Sequence, residues 1–87
     1  MGVVYILQSQ VNQRYYIGST CDLERRLIEH DTGKSQYTKL TKPFKLVFSQ
    51  GYGTLQEARK IEYKLKQLKS RVIIERIVKD QKIEMNP

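Results

Sequence analysis

The chain has 87 residues, with 16 Lys and Arg against 9 Asp and Glu, a formal net charge of +7 and a sequence pI near 9.7. That length allows one core and excludes a second independent domain, and a domain this small buries only about 60–65% of the surface its unfolded chain exposes. Hydrophobic content of 39% is too high for a disordered tail. The longest apolar run, Val3–Val4–Tyr5–Ile6–Leu7, falls far short of the roughly 18 residues of a membrane span. It also lacks the basic flank and the length of a signal peptide, so the expected setting is the cytoplasm. A single cysteine, Cys21, excludes an internal disulfide and a zinc site built mainly from cysteine. The excess positive charge favours a polyanionic partner, nucleic acid ahead of an anionic membrane.

Taken in chain order, residues 3–7 are β-branched, aromatic or aliphatic and read as a largely buried strand. Residues 14–18 read as its hairpin partner across a turn at 8–13. Symmetry about Gln10–Val11 would set Tyr5 directly opposite Tyr16, on one face of the sheet. Asp22 is a good N-cap for a helix in which Leu23, Arg26, Leu27 and His30 recur at helical spacing, with Gly33 as its stop. A lysine-bearing connection containing Lys34, Lys39 and Lys42 runs to Pro43, and Phe44, Leu46 and Phe48 alternate as a third strand.

Gly51–Tyr52–Gly53 reads as a turn, and Thr54 with Glu57 matches a capping box opening a second helix. That helix carries Ala58, Ile61, Leu65 and Leu68 on one face, with Glu62 at its border. Ser70 caps a last helix with Ile73, Ile74, Ile77 and Val78 apolar, and the residues after Asp80 read as a polar, frayed tail. The order β-β-α-β-α-α predicts a small α+β fold, a three-stranded antiparallel sheet flanked by helices.

The residues with chemical potential are few. Tyr5 and Tyr16 can be strand aromatics, or two phenols beside a phosphate; a phenol titrates near 10 unless positive charge lowers that value. Arg26 borders the apolar stripe of its helix, whereas Arg25 is turned about 100° away. From there a guanidinium can hold a phosphate bidentately. His30, the only histidine, lies one turn from Arg26 and is suited to proton transfer near neutrality. Glu62 sits where an unpaired carboxylate is costly. It either pairs with Lys66 at i+4 or holds a divalent cation, since Mg²⁺ needs only one or two carboxylates beside phosphate oxygens and water.

This ordered set resembles the GIY-YIG nuclease family over roughly residues 3–79. The carrying residues are Val3–Val4–Tyr5, Tyr16–Ile17–Gly18, Arg26, His30 and Glu62. The likeness is to small single-domain bacterial members, related to the nuclease domain of the bacterial excinuclease, a DNA-repair enzyme. It implies a GIY-YIG endonuclease-like domain over residues 1–80, followed by the tail at 81–87. It also implies a hydrolase cutting phosphodiester bonds in DNA with one divalent cation, Mg²⁺ or Mn²⁺. By the same resemblance Tyr16 is the general base or water-orienting phenol and Tyr5 its partner. Arg26 binds the scissile phosphate, His30 assists, Glu62 holds the metal, and Gly18 lets the backbone approach the site. Ser19 and Thr20 have at most a supporting role.

Two departures stand out. The first motif is Val-Val-Tyr where the family has Gly-Ile-Tyr. The asparagine that many members carry a helix beyond the glutamate is missing, the only asparagines being Asn12 and Asn86. Lys34, Lys39, Lys42, Lys66 and Lys69 are the expected phosphate-tracking residues. Without a separate base-reading element, recognition would follow nucleic-acid structure with low sequence selectivity, DNA ahead of RNA. The alternative is a nucleic-acid-binding or adaptor module with weak or lost catalysis.

Overall fold

The computed structural model describes residues 1–31 and 44–85. Within them the elements are β1 (Gly2–Ser9), β2 (Tyr15–Thr20), α1 (Leu23–Asp31), β3 (Phe44–Tyr52), α2 (Leu55–Leu68) and α3 (Arg71–Asp80). This is the expected α+β order. The sheet runs β2-β1-β3 with both pairings antiparallel. The most apolar strand, β1, is therefore central, where both faces can be covered, and Val4, Tyr5, Ile6 and Leu7 are all buried. No helix among the described residues is long and apolar enough to cross a membrane.

Strand alternation sorts β1 into two faces. Val4 and Ile6 join Phe48, Ala58, Ile61, Leu65, Ile74, Ile77 and Ile83 in the main core beneath α2 and α3. Tyr5 and Leu7 point the other way, toward α1, and Tyr5 there meets Arg26 and His30. Gly2 lies where α2 begins: a Cβ there would stand 2.6 Å from the Thr54 carbonyl oxygen and 2.7 Å from Leu55 Cα. Only glycine lets the strand and the helix start come this close.

The hairpin register differs from the symmetric expectation by two residues: Tyr5 pairs with Gly18 and Tyr16 with Leu7. The cause is the turn. The buried Ser9 side chain accepts from Val11 N at 3.1 Å and Asn12 N at 3.3 Å, Gln13 takes a left-handed φ of 63°, and Ser9 N donates to Arg14 O at 2.9 Å. The loop thus closes between Ser9 and Arg14, one residue later than a turn centred on Gln10–Val11 requires. Because the shift is even, Tyr5 and Tyr16 still share a face, diagonally instead of directly opposed.

A second difference lies in β3. The register jumps between Ile6↔Phe48 and Leu7↔Leu46, leaving Val47 as the extra residue of a bulge. Strict alternation would put Leu46 and Phe48 on one face; the bulge separates them, so Phe48 is buried and Leu46 is 37% exposed. The strand also continues through Gly51 and Tyr52, expected as a turn.

The helices start where their caps dictate. Asp22 Oδ1 accepts from Arg25 N at 3.1 Å, Thr54 Oγ1 from Glu57 N at 3.1 Å, and Ser70 Oγ from Ile73 N at 3.3 Å. Gly33, Lys34, Lys39, Lys42 and Pro43 lie outside the described residues. The frayed tail is corrected for residues 82–85. Ile83 is buried, its N donates to Gln50 Oε1 at 2.9 Å, and its carbonyl accepts from Gln50 Nε2 at 3.3 Å. One isoleucine in a polar stretch carries no period, yet it fills the gap that α3 leaves against β3.

Candidate active site

The site straddles β2, which among the described residues has a strand neighbour on one side only. On the α1 face stand Tyr5, Tyr16, Arg26 and His30; on the α2 face stand Tyr15, Ile17, Ser19, Glu62 and Lys66. Together with Gly18 these residues line one cleft of about 490 Å³. Tyr5, Tyr16, Gly18, Arg26, His30, Glu62 and Lys66, all expected from the sequence, therefore open onto the same space, and Lys69 does not.

Tyr5 is the hub of the α1 side. Its side chain is buried, its hydroxyl lies 3.1 Å from His30 Nε2, and it accepts from Arg26 Nε at 3.3 Å. The phenol can donate to Nε2 or accept from it, so the direction of this bond follows the tautomer of the His30 ring. His30 itself is buried at 6% exposure in the last turn of α1, its ring edge-on to Tyr5 and 6.3 Å from Phe44. Tyr16 packs edge-on against Phe44 with centroids 5.2 Å apart and forms the cleft wall.

Gly18 has a clear steric role here. It sits opposite Tyr5, and a Cβ at that position would overlap the phenol, coming within 2.9 Å of Tyr5 Cε1. The close approach expected of Gly18 is thus an approach of the strand to Tyr5.

Arg26 is held on two sides. Besides Tyr5, its Nη1 donates to Glu29 Oε2 at 2.8 Å. The bond to Tyr5, followed by that to Glu29, raises the guanidinium's pKa beyond its ordinary value. Glu29 is pushed below the usual carboxylate range, first by Arg26 and then by Arg25. A guanidinium carries five N–H donors, and among the described residues the remaining ones are available to a phosphate. Arg25 points away, 77% exposed at its side chain, as the helical period predicts.

On the α2 side Glu62 is half-buried beside Ile61 and Leu65. Its Oε1 accepts from Ser19 Oγ and its Oε2 from Lys66 Nζ at 2.6 Å. The i,i+4 pair weighed against a metal role therefore exists, and Ser19 is a direct partner of the carboxylate. Among the described residues no group of three or more His, Cys, Asp or Glu converges. The donor set fits a cation held by one carboxylate and completed by phosphate oxygens and water, which is how Mg²⁺ is commonly bound.

The cleft continues past Tyr15, Ile17 and Lys66 into a groove also lined by Arg14, Lys69, Ser70 and Arg71, with no acidic residue in its lining. Arg71 lies 4.9 Å above the Tyr15 ring and is also paired with Glu75 at 2.8 Å. Lys66 and Lys69 are the residues expected on such a surface. Arg14 and Tyr15 read from sequence only as strand residues; the signal that could find them is alternation, which turns Tyr15 to the face opposite Tyr16. Cys21 is a free, exposed thiol.

Two tyrosines from adjacent strands, an arginine and a histidine from α1 and a glutamate from α2 thus open onto one cleft of a small three-stranded α+β domain. The chain belongs to the GIY-YIG family: the GIY-YIG catalytic domain matches residues 1–76. Similar proteins include a UPF0213 protein of Streptococcus pneumoniae serotype 4, 40% identical over 67 residues, spanning 76% of this chain and 67% of the relative. The UPF0213 protein YazA of Bacillus subtilis is 37% identical over 65 residues, 74% of this chain and 65% of that protein. The solution NMR structure of the UPF0213 protein BH0048 from Bacillus halodurans superposes with a TM-score of 0.58 at 37% identity, covering 91% of this chain and 84% of that one.

Proposed function

We propose that the protein is a metal-dependent endonuclease that hydrolyses phosphodiester bonds, in DNA ahead of RNA, directed by nucleic-acid structure with low sequence selectivity, and that it works in the cytoplasm. The observation that carries this reading is the convergence of Tyr5, Tyr16, Arg26, His30 and Glu62 on one cleft. Arg26, oriented by Tyr5 and Glu29, meets the scissile phosphate and stabilises the charge that grows on its oxygens. Tyr16, on the cleft wall, orients the attacking water. The water oxygen bonds to phosphorus as the bond to the leaving oxygen breaks; the water's proton passes to the Tyr16 hydroxyl as that hydroxyl gives its own proton to solvent, and the leaving oxygen takes a proton from solvent.

Tyr5 and His30 form a two-member proton path that holds Arg26 in place and can absorb a proton at Nε2. Glu62, fixed by Ser19, holds one Mg²⁺ or Mn²⁺, which when bound supplies Lewis-acid neutralisation of the phosphate. The experiment is a panel of branched, single-stranded and duplex DNA and RNA incubated with Mg²⁺ or Mn²⁺, beside Glu62→Gln and Tyr16→Phe. Cleavage by the wild type that falls to background in Glu62→Gln, with circular dichroism unchanged, is the expected result. Wild-type cleavage no greater than that of Glu62→Gln rejects the reading. The missing family asparagine favours a second reading, a binding module without catalysis. It is distinguished by salt-sensitive nucleic-acid binding, unchanged in Glu62→Gln, with no turnover by the wild type.

A further inference from the structure

We propose that Lys66 is a shared counter-ion that couples divalent-cation binding at Glu62 to nucleic-acid binding in the adjoining groove. The inference rests on the metal role of Glu62 proposed above and goes beyond it. Lys66 lines both the cleft and the groove. Its ammonium sits 2.6 Å from Glu62 Oε2, while Oε1 is taken by Ser19. A divalent cation and Lys66 therefore compete for the same carboxylate oxygen, because two cations cannot both approach it closely without strong repulsion. Ser19 is neutral and stays compatible with either.

The displaced ammonium has somewhere to go. The Lys66 side chain is 57% exposed and carries its charge on a flexible four-carbon stem. The groove beside it already gathers Arg14, Lys69 and Arg71 and has no acidic lining residue. A phosphate entering that groove draws Lys66 away from Glu62 and unmasks the carboxylate. A cation arriving at Glu62 in turn releases Lys66 to the phosphate. By linkage each event favours the other to the same degree. The exposed half of the pair makes the effect modest, a few-fold in affinity.

The test measures Mn²⁺ binding by the loss of the free-ion paramagnetic resonance signal. It is run with and without a saturating phosphorothioate DNA oligonucleotide, which keeps its charge and resists hydrolysis. Glu62→Gln gives the background in both conditions. Without the oligonucleotide Lys66→Met should bind Mn²⁺ about fivefold more tightly than the wild type, and Lys66→Arg should stay close to the wild type. With the oligonucleotide the gap between Lys66→Met and the wild type should shrink to about twofold or less, which loss of a merely structural ion pair would not produce. A Lys66→Met affinity equal to or weaker than the wild type without oligonucleotide, or a gap unchanged by it, overturns the coupling while leaving the metal reading intact. Mn²⁺ binding no greater than in Glu62→Gln for every variant and condition overturns the metal reading itself, and the coupling with it.

Discussion

At the scale of single residues, Tyr5 shows how a buried polar group organises a site. Its hydroxyl would be costly in the interior without partners, and it has two, His30 and Arg26. The helical period places Arg26 and His30 beside an apolar stripe, and the resemblance to the GIY-YIG family is what set them at one site with a strand phenol. The Ser19–Glu62 bond was not, because it joins residues 43 apart through the packing of α2 on β2. The Arg26–Glu29 pair carries a pH signature. Glu29 is held below the ordinary carboxylate range chiefly by Arg26, so its contribution to stability is present above the unfolded carboxylate pKa of about 4.3 and is lost as pH falls through the lower folded value. Glu29→Gln should melt below the wild type near neutral pH, and the two melting curves should converge as the pH drops under about 4. Thermal denaturation against pH checks this; a constant gap across the range contradicts it.

Among the elements, the junction between α2 and α3 joins stability to binding. Only Lys69 and Ser70 separate the helices, and Lys69 takes a left-handed φ of 48°. Glycine favours that conformation at a helix end, whereas a lysine there is strained. Lys69→Gly should raise stability by about 0.5–1 kcal/mol in urea unfolding. It should also weaken oligonucleotide binding and lower the slope of log K against log salt by about 0.7–0.9. A rise in stability with an unchanged slope would remove Lys69 from the binding surface. The caps at Asp22, Thr54 and Ser70 were readable because each is a local device with its own residue signature. The hairpin register and the β3 bulge were not. One depends on how the Ser9 side chain closes the loop, the other on a surplus residue whose effect appears only when Val47 is packed against its neighbours.

Across the whole molecule, a chain of 87 residues has few apolar side chains to spare for its core, and the segment after α3 supplies one of them. Ile83 is only 7% exposed in the main core, with Gln50 bonding both its backbone groups. Ile83→Ala should cost about 2–4 kcal/mol in chemical denaturation, against almost nothing for an exposed tail residue. The order of elements and the core faces of α2 and α3 followed from periodicity, save Leu68, which at the end of α2 is 45% exposed; the docking of residues 82–85 did not, because a single apolar residue after a helix end has no pattern. The placement of the site on β2 has a cost at this scale. A strand with one neighbour offers its free backbone groups to any extended chain, and proteins commonly hide such margins or pair them with another copy. Pairing with another copy along β2 would bury the cleft. The cations beside it, Arg14, Lys66 and Arg71, bring like charges face to face when a second copy offers the same edge, so the charge that suits a polyanion is also a charge against stacking edge to edge.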